Sequence, residues 1–544
     1  MFQTVSNLLG GLGMFLLGMT LMSDSLKSFA GDSLRSALLA FTRRPITAFA
    51  SGMIVTAIIQ SSSATTLMTI GFVSAGILPF ARSVGVLMGA ALGTTSTGWM
   101  VSLIGLNIRI SSYALLFIGI GSVVRLFLKG KRISHLGTAL AGFGLIFLGI
   151  GTLQTGMSGV LETVDFSALP SGSFGAHVLI MLIGIGLTTL VQSCSAVMAV
   201  NLTALSVGAF NFEQSAALAI GAGVGTTVTA GLAAIGASTA AKRSALAQAI
   251  FSTTTGVLSI IFLPLLLQII YYIQRRFGLP EGPMSLAVFH SLFISIGVLI
   301  FLPFLRPYAA RIEKMLPERG DSMTRYLDKT LLNLPSVALE AVDRGLRECR
   351  SLLAGAAAGR LRNITSVPEA ATISESVGRG LAALRRYLSQ IEMEPEDPAM
   401  ESRRISNVHI MDHLQRLTAL VSSTDPQPGT ARLVPWEDRL GHILDLYATK
   451  SVDESASDDE TPAAGMMALS EEMAAWRRRE RKDILQKAAL SGNEPTESLR
   501  ELETVQWLDQ VAYHFGRIEH HFALAQSASP EQLAIDADES YAPA

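Results

Sequence analysis

Charge is scarce in this chain. Only 16% of its 544 residues are Asp, Glu, Lys or Arg, against roughly 25% in an ordinary soluble domain. The deficit is local: Arg82 and Arg109 are the sole charges between Ile46 and Val124, and Glu213 is the sole charge between Phe174 and Ala241. Cysteine is nearly absent, and Cys194 and Cys349 lie far apart, which excludes a disulfide framework. A net charge of −2 offers no basic footprint for nucleic acid. No phosphate loop, cofactor fingerprint or nucleophile–base constellation occurs, so an enzyme is not expected. No Lys or Arg precedes the apolar segment Asn7 to Met22 and no small-residue cleavage site follows it. It is therefore expected to stay as a first span rather than leave as a signal peptide.

What the chain has instead is apolar length. Hydrophobic residues make up 49% and the mean hydropathy is +0.42. Charge becomes dense only after about Arg311. The expected organisation is all-α: a polytopic membrane part over 1–310, a soluble helical part over 318–530, and a disordered tail over 531–544 rich in Ala, Ser, Asp and Pro. A span needs ~20 apolar residues to cross ~30 Å of hydrocarbon. Stretches near 5–24, 83–105, 111–128, 135–156, 213–236, 244–272 and 285–305 meet that need.

Two further apolar stretches, 46–80 and 174–208, carry polar clusters at their middles. One is Gln60-Ser61-Ser62-Ser63-Ala64-Thr65-Thr66, the other Gln192-Ser193-Cys194-Ser195. A continuous helix would place each cluster at the bilayer centre without benefit. A re-entrant hairpin broken at the polar tip explains it, since unwound backbone is tolerated there only around a cavity or inside protein. With only the full spans counted, Lys27, Arg35, Arg43, Arg44, Arg82, Lys129, Lys131, Arg132, Lys242, Arg243, Arg306 and Arg311 fall on one side, and Arg109, Arg275 and Arg276 on the other. The positive-inside rule makes the first side cytoplasmic. The soluble part is then inside, and the hairpins enter from opposite faces.

An internal repeat accounts for that opposition. Gly11, Gly13 and Gly18 recur as Gly142, Gly144 and Gly149, an offset of 131. Gly52, Thr56 and Gln60-Ser61 recur as Gly184, Thr188 and Gln192-Ser193, an offset of 132. Gly89-Ala90 with Gly93-Thr94-Thr95 recurs as Gly221-Ala222 with Gly225-Thr226-Thr227, again 132. Repeat 1 covers about 5–128 and repeat 2 about 135–305. The repeated unit holds three full crossings, an odd number, so the copies are inverted, an architecture of secondary transporters with the site at the midplane.

The tips offer Gln amides, Ser and Thr hydroxyls and freed carbonyls, hard oxygen ligands suited to a cation such as Na⁺. The half-helix N-termini present N–H groups that favour an anion. No Lys or Arg lies in either tip, so an anion there needs co-bound cations to balance it. Thr94-Thr95 and Thr226-Thr227 add hydroxyls, although helix packing alone also explains the Gly-Thr-Thr runs. Asp24 and Glu213 read as span-end residues, His135 and His177 as interfacial, and His290 as either a packing or a site residue.

On the two Gln-Ser clusters and both Gly-Ala-x-x-Gly-Thr-Thr segments, the sequence resembles the type II sodium/phosphate cotransporter family over about 5–305. The resemblance implies sodium-coupled movement of inorganic phosphate, with Na⁺ as coupling ion and no organic cofactor. It makes Gln60, Ser61, Ser62, Ser63, Thr65, Thr66, Gln192, Ser193, Cys194 and Ser195 the binding residues. The chain departs from the family pattern at Cys194, where Ser is usual, and at Ala91 and Gly223, where Asn is common. Later His and Asn positions of the family appear here as Gln248, Ser252 and Ile294, while His290 is retained.

The soluble part reads as six helices, near 335–358, 367–393, 400–423, 432–450, 467–491 and from Leu499 onward. In the last, Leu502, Val505, Leu508, Val511, Phe515, Ile518 and Phe522 form a helical stripe. Asp425–Gly429 and Asp453–Thr461 read as loops. This part resembles a PhoU-like bundle through Val408–His413 and Gly516–His521. The substitutions Val408, Gly516 and His520 leave metal binding open, and His409 and His413 share one helix face.

The expected partners are inorganic phosphate, sodium and the lipid bilayer of the plasma (inner) membrane, with homo-oligomerisation open. The rival readings are transport of another small anion, and a phosphate sensor that does not transport.

Overall fold

The computed structural model describes residues 2–40, 44–106, 111–128, 132–161, 172–235, 237–317, 322–392, 398–423, 433–449, 462–491 and 495–526. Among them every regular element is helical. The tail over 531–544 and the loops Asp425–Gly429 and Asp453–Thr461 lie outside the described residues. The chain folds as two compact units. One takes in Met1–Val73 and Ile77–Glu318, the other Ser74–Gly76 and Arg319–Ala544.

In the first unit, seven helices among the described residues are long and apolar enough to cross a membrane, and the chain is a polytopic membrane protein. Its helices are α1 (Phe2–Ala40), α2 (Pro45–Ile59), α3 (Ser62–Ser74), α4 (Phe80–Gly93), α5 (Thr95–Met100), α6 (Ser111–Phe127), α7 (Arg132–Leu161), α8 (Phe174–Val191), α9 (Cys194–Ser206), α10 (Phe212–Ala233), α11 (Thr239–Ile261), α12 (Leu263–Phe277), α13 (Pro283–Phe301) and α14 (Leu305–Met315). A π-helical turn, Val101–Leu106, follows α5.

The starts of these helices are written locally. Ser173 and Ser238 accept from the backbone N–H groups of Ala176 and Ala241, each at 3.2 Å. Asn211 and Gln214 form a capping box at the head of α10, and prolines open α2, α12 and α13. Such caps satisfy N–H groups that have no intrahelical partner, and proline at the first turn gives up only a spare donor.

Three expectations need adjusting. The first helix runs far past residue 24, to Ala40, because nothing there stops it and Asp24 pairs with Lys27 one turn on, at 2.9 Å. The stretch 244–272 is two helices parted at Phe262, because Pro264 cannot continue the hydrogen-bond ladder of α11. His177 is buried rather than interfacial, and its Nε2 meets the Glu213 carboxylate.

Glycines set how closely the helices approach. A methyl group at Gly52 would lie 2.2 Å from the Val86 carbonyl oxygen, and one at Gly89 would lie 2.0 Å from that of Phe49. The positions 132 residues on repeat this contact for contact: Gly184 against the Leu218 oxygen at 2.5 Å, and Gly221 against the Met181 oxygen at 2.0 Å. Thus α2 packs on α4 as α8 packs on α10. Where α1 crosses α7, Gly11 faces Gly149 and Gly18 faces Gly142. Gly11 thus meets the position 131 residues past Gly18, and Gly18 the position 131 residues past Gly11. Around these contacts Phe15, Met88, Phe147 and Phe289 are buried in one apolar core.

The second unit contains α15 (Pro335–Leu361), α16 (Val367–Leu388), α17 (Pro398–Ser423), α18 (Val434–Thr449), α19 (Pro462–Ser491) and α20 (Pro495–Gln526). Val505, Leu508, Val511, Phe515, Ile518 and Phe522 of α20 are buried, whereas Leu499 is exposed. Trp507 lies off the expected stripe yet is fully buried, because its Nε1 donates to the Leu420 carbonyl at 3.1 Å. That bond removes the penalty for burying the indole N–H. Arg403 of α17 reaches both Glu340 and Asp343 of α15. Arg350 meets Glu519 at 2.5 Å.

Candidate functional site

Both polar clusters break their helices in the same way. Gln60 ends α2 with φ +58°, and Gln192 ends α8 with φ +55°. An L-residue in that left-handed region costs about 1–2 kcal/mol, so two such glutamines mark sites where the break itself is held in place. The next residue restarts the chain as a helix. The Ser61 hydroxyl accepts from Ala64 N at 3.2 Å, and the Ser193 hydroxyl accepts from Ala196 N at 3.2 Å. The helices α3 and α9 therefore begin at the break, with first-turn N–H groups that have no intrahelical partner.

One cavity of about 450 Å³ collects most of the expected residues. Gln60, Ser61, Ser62, Ser63 and Thr66 line it from the first cluster, and Gln192, Ser193, Cys194 and Ser195 from the second. Thr94 and Thr226 also reach it. Thr65, Thr95 and Thr227 are not on its wall. Thr65 is buried and accepts from the Thr56 hydroxyl at 2.8 Å. Thr95 donates to the Leu92 carbonyl at 2.8 Å and accepts from Ser291 at 3.1 Å. Thr227 is half-buried in α10. Among the described residues no Lys, Arg, Asp or Glu lines the cavity.

The two sides of this cavity differ. The Gln60 amide is held at both ends: its Nε2 donates to Ser96 Oγ at 2.8 Å, and its Oε1 accepts from Thr97 Oγ1 at 2.9 Å. At the equivalent offset from Gln192 stand Val228 and Thr229. The Thr229 hydroxyl is spent on the Thr226 carbonyl, at 2.8 Å. Thr56 bonds Thr65 across the break, and at the two equivalent positions of the second repeat stand Thr188 and Val197. The Thr188 hydroxyl is fully buried and has no partner among the described residues.

The lining takes in further residues, among them His290, which the sequence left as either a packing or a site residue. Gln248 and Ser252 of α11 are bonded to each other at 3.0 Å, and Thr255 lies one turn further on. His290 lines the cavity, stacked on Phe293, with its Nδ1 buried and unpartnered among the described residues. Ser96 and Thr97 follow the Gly-Thr-Thr run directly, and the hydroxyl-rich sequence Thr94–Thr97 was the available signal for them.

In the second unit, His409 and His413 share a face as their spacing requires. His409 stacks on His521 at 4.7 Å between ring centroids, and His413 Nδ1 meets His514 Nδ1 at 2.9 Å. Among the described residues no group of three or more His, Cys, Asp or Glu is arranged to hold a metal.

YqeW of Bacillus subtilis (strain 168), whose name assigns no activity, is 30% identical over 311 residues, 56% of this chain and 96% of that protein. YjbB of Escherichia coli (strain K12), named for inorganic phosphate export, is 24% identical over 413 residues, 74% of each chain. YjbB of Salmonella typhimurium (strain LT2) is 24% identical over 412 residues, again 74% of each. No solved structure matches the chain. The Na⁺/Pi-cotransporter family matches twice, over residues 14–155 and 167–302. One broken-helix cluster falls in each segment, and the two together cover over half of the protein, so the chain belongs to the Na⁺/Pi-cotransporter family.

Proposed function

We propose that the first unit moves inorganic phosphate across the plasma membrane together with sodium, through a site between the Gln60 and Gln192 clusters. The observation that carries this reading is a cavity of about 450 Å³ that gathers both Gln-Ser clusters, with no Lys or Arg among the described residues on its wall. A phosphate entering such a space loses its hydration and meets no fixed cation. Two groups can compensate. The first-turn N–H groups of α3 and α9 carry partial positive charge and suit an oxyanion. Hydroxyl and amide oxygens from both clusters suit Na⁺, and co-bound sodium then supplies the missing charge. Phosphate affinity should accordingly depend on sodium.

The glycine contacts, repeated position for position, support two inverted copies, and the family match in two segments supports the same division. In this reading α2–α3 and α8–α9 are re-entrant hairpins entering from opposite faces. Phosphate reaches each side in turn as one copy rocks against the other. The charge distribution places the second unit in the cytoplasm, where we assign it as a PhoU-like regulator. The names of the YjbB relatives favour export as the direction of net flux.

The test is phosphate flux in proteoliposomes carrying the purified protein, with sodium or choline as the cation. Sodium-stimulated phosphate flux that sulfate and dicarboxylates do not suppress is the expected result. Equal flux in choline would remove the coupling, suppression by the competitors would change the substrate, and no flux in either salt would favour a sensor.

A further inference from the structure

The sequence repeat makes the two halves of the cavity comparable atom by atom, and they are not equivalent. On the first side Gln60 is bonded by Ser96 and Thr97, and the buried Thr56 by Thr65. On the second side two hydroxyls are left over. Thr188 on α8 is 0% exposed and Thr255 on α11 is 4% exposed. Both line the cavity, and neither Oγ1 has a partner among the described residues.

Threonine in a helix ordinarily bonds the carbonyl one turn back. Thr189 does so to Ile185 at 2.8 Å, and Ser259 does so to the Thr255 carbonyl at 2.7 Å. Thr188 and Thr255 do not, although buried hydroxyls are otherwise nearly always bonded. The helices that carry them both pack on α10. A methyl group at Gly225 would lie 2.6 Å from Thr188 Cβ, and one at Gly256 would lie 2.2 Å from Val224 Cγ2. So α8 and α11 close on adjacent residues of α10. The Thr255 Oγ1 lies toward α13, since a methyl group at Gly297 would lie 2.3 Å from it.

We infer that the coupling cation is held on one side only, at a sodium subsite made by the Thr188 and Thr255 hydroxyls of the second repeat, while the first-repeat cluster forms a fixed wall. This rests on the proposed sodium-coupled function. A hydroxyl oxygen with both lone pairs available is a hard ligand, and neutral oxygens in a site without acidic residues suit a monovalent ion. Val197 and Val228 create the asymmetry, because they stand where the first repeat has Thr65 and Ser96 and withhold the internal partners found there.

The experiment uses the full-length protein in proteoliposomes, with sodium titrated against choline at constant ionic strength and fixed phosphate. Thr188→Val and Thr255→Val are each expected to raise the half-saturating sodium concentration about tenfold, the equivalent of 1.4 kcal/mol. Val197→Thr should do the same, by giving Thr188 the partner that Thr56 has. Thr56→Val, the mirror substitution, should stay within about twofold of the unmodified protein. Melting temperatures in choline identify any variant that misfolds, and Val197→Thr, which changes little shape, stands in if Thr188→Val does. Equal shifts for Thr56→Val and Thr188→Val, or no shift for Thr188→Val and Thr255→Val, would overturn the one-sided subsite alone. Flux in the unmodified protein that ignores sodium would overturn the coupled function and the subsite with it.

Discussion

Gln60 and Gln192 stand 132 positions apart and end their helices in one backbone conformation, yet only Gln60 is bonded to both Ser96 and Thr97. The same motif therefore has a structural load in one copy that it lacks in the other. In the first copy the amide ties the break to α5. In the second, where the residue is exposed, it is presented to the cavity.

Substituting the two glutamines should separate these roles. Gln60→Ala and Gln192→Ala are each expected to abolish phosphate flux, because the clusters share one cavity. Gln60→Ala should in addition lower stability by about 1–3 kcal/mol, through the lost bonds and the partners left behind. Flux and thermal unfolding measured on the same preparations decide this. Normal flux in either variant would count against a shared site.

Glycine packing gives a second expectation. Gly89→Ala and Gly221→Ala each place a methyl group 2.0 Å from a backbone carbonyl oxygen, whereas Gly119→Ala meets nothing within 4 Å. Carbonyl oxygens of a neighbouring helix cannot move aside like side chains, so the first two should cost at least the ~1–3 kcal/mol typical of overpacking. Membrane yield and monodispersity should fall for both and stay unchanged for Gly119→Ala. Well-folded Gly89→Ala protein would show that α2 and α4 can part.

Acid should loosen the second unit at its histidines. Burial first, with help from Arg517, lowers the His413 pKa to about 4. Burial with neighbouring His413 lowers His514 to about 3, and burial with His409 lowers His521 to about 3. The unfolded imidazoles titrate near ~6.5. Between those limits the unfolded chain binds more protons than the folded one, so stability falls as pH drops from about 6.5 toward 4. Hydrogen exchange of α17 and α20, corrected for intrinsic rates, should show faster opening at pH ~5 than at pH ~7. Equal protection at both would mean these histidines are already charged in the fold.

Removing the second unit tests whether transport depends on it. The Gln60 and Gln192 clusters, Thr255 and His290 all precede residue 300, and the last anchor of the first unit, the bond from Arg243 Nε to the Leu316 carbonyl at 2.9 Å, is kept by truncation after Pro317. The truncated protein is expected to insert and to carry phosphate, with altered regulation. Its complete loss of flux despite correct insertion would make the second unit part of the transport machinery.

What the sequence determined by itself is what neighbouring residues encode. Apolar length announced the spans, Gln-Ser pairs announced the two breaks, and the recurrence of glycines at one offset announced the matching helix contacts. The stripe from Val505 to Phe522 announced the buried face of α20. Tertiary structure decided what depends on residues far apart in the chain. Leu499 continues the stripe but finds no neighbour, while Trp507 lies off it and is buried because the Leu420 carbonyl, 87 positions away, takes its N–H. The site shows the same division. Motif spacing brought Gln60 and Gln192 forward, but Ser96 and Thr97 became partners of Gln60 only when α5 packed beside the break. The Thr188 hydroxyl has no partner among the described residues, and Val197 stands where the first repeat has Thr65. Whether a hydroxyl is spent or available is a property of what packs against it, and a single strand of sequence does not contain that.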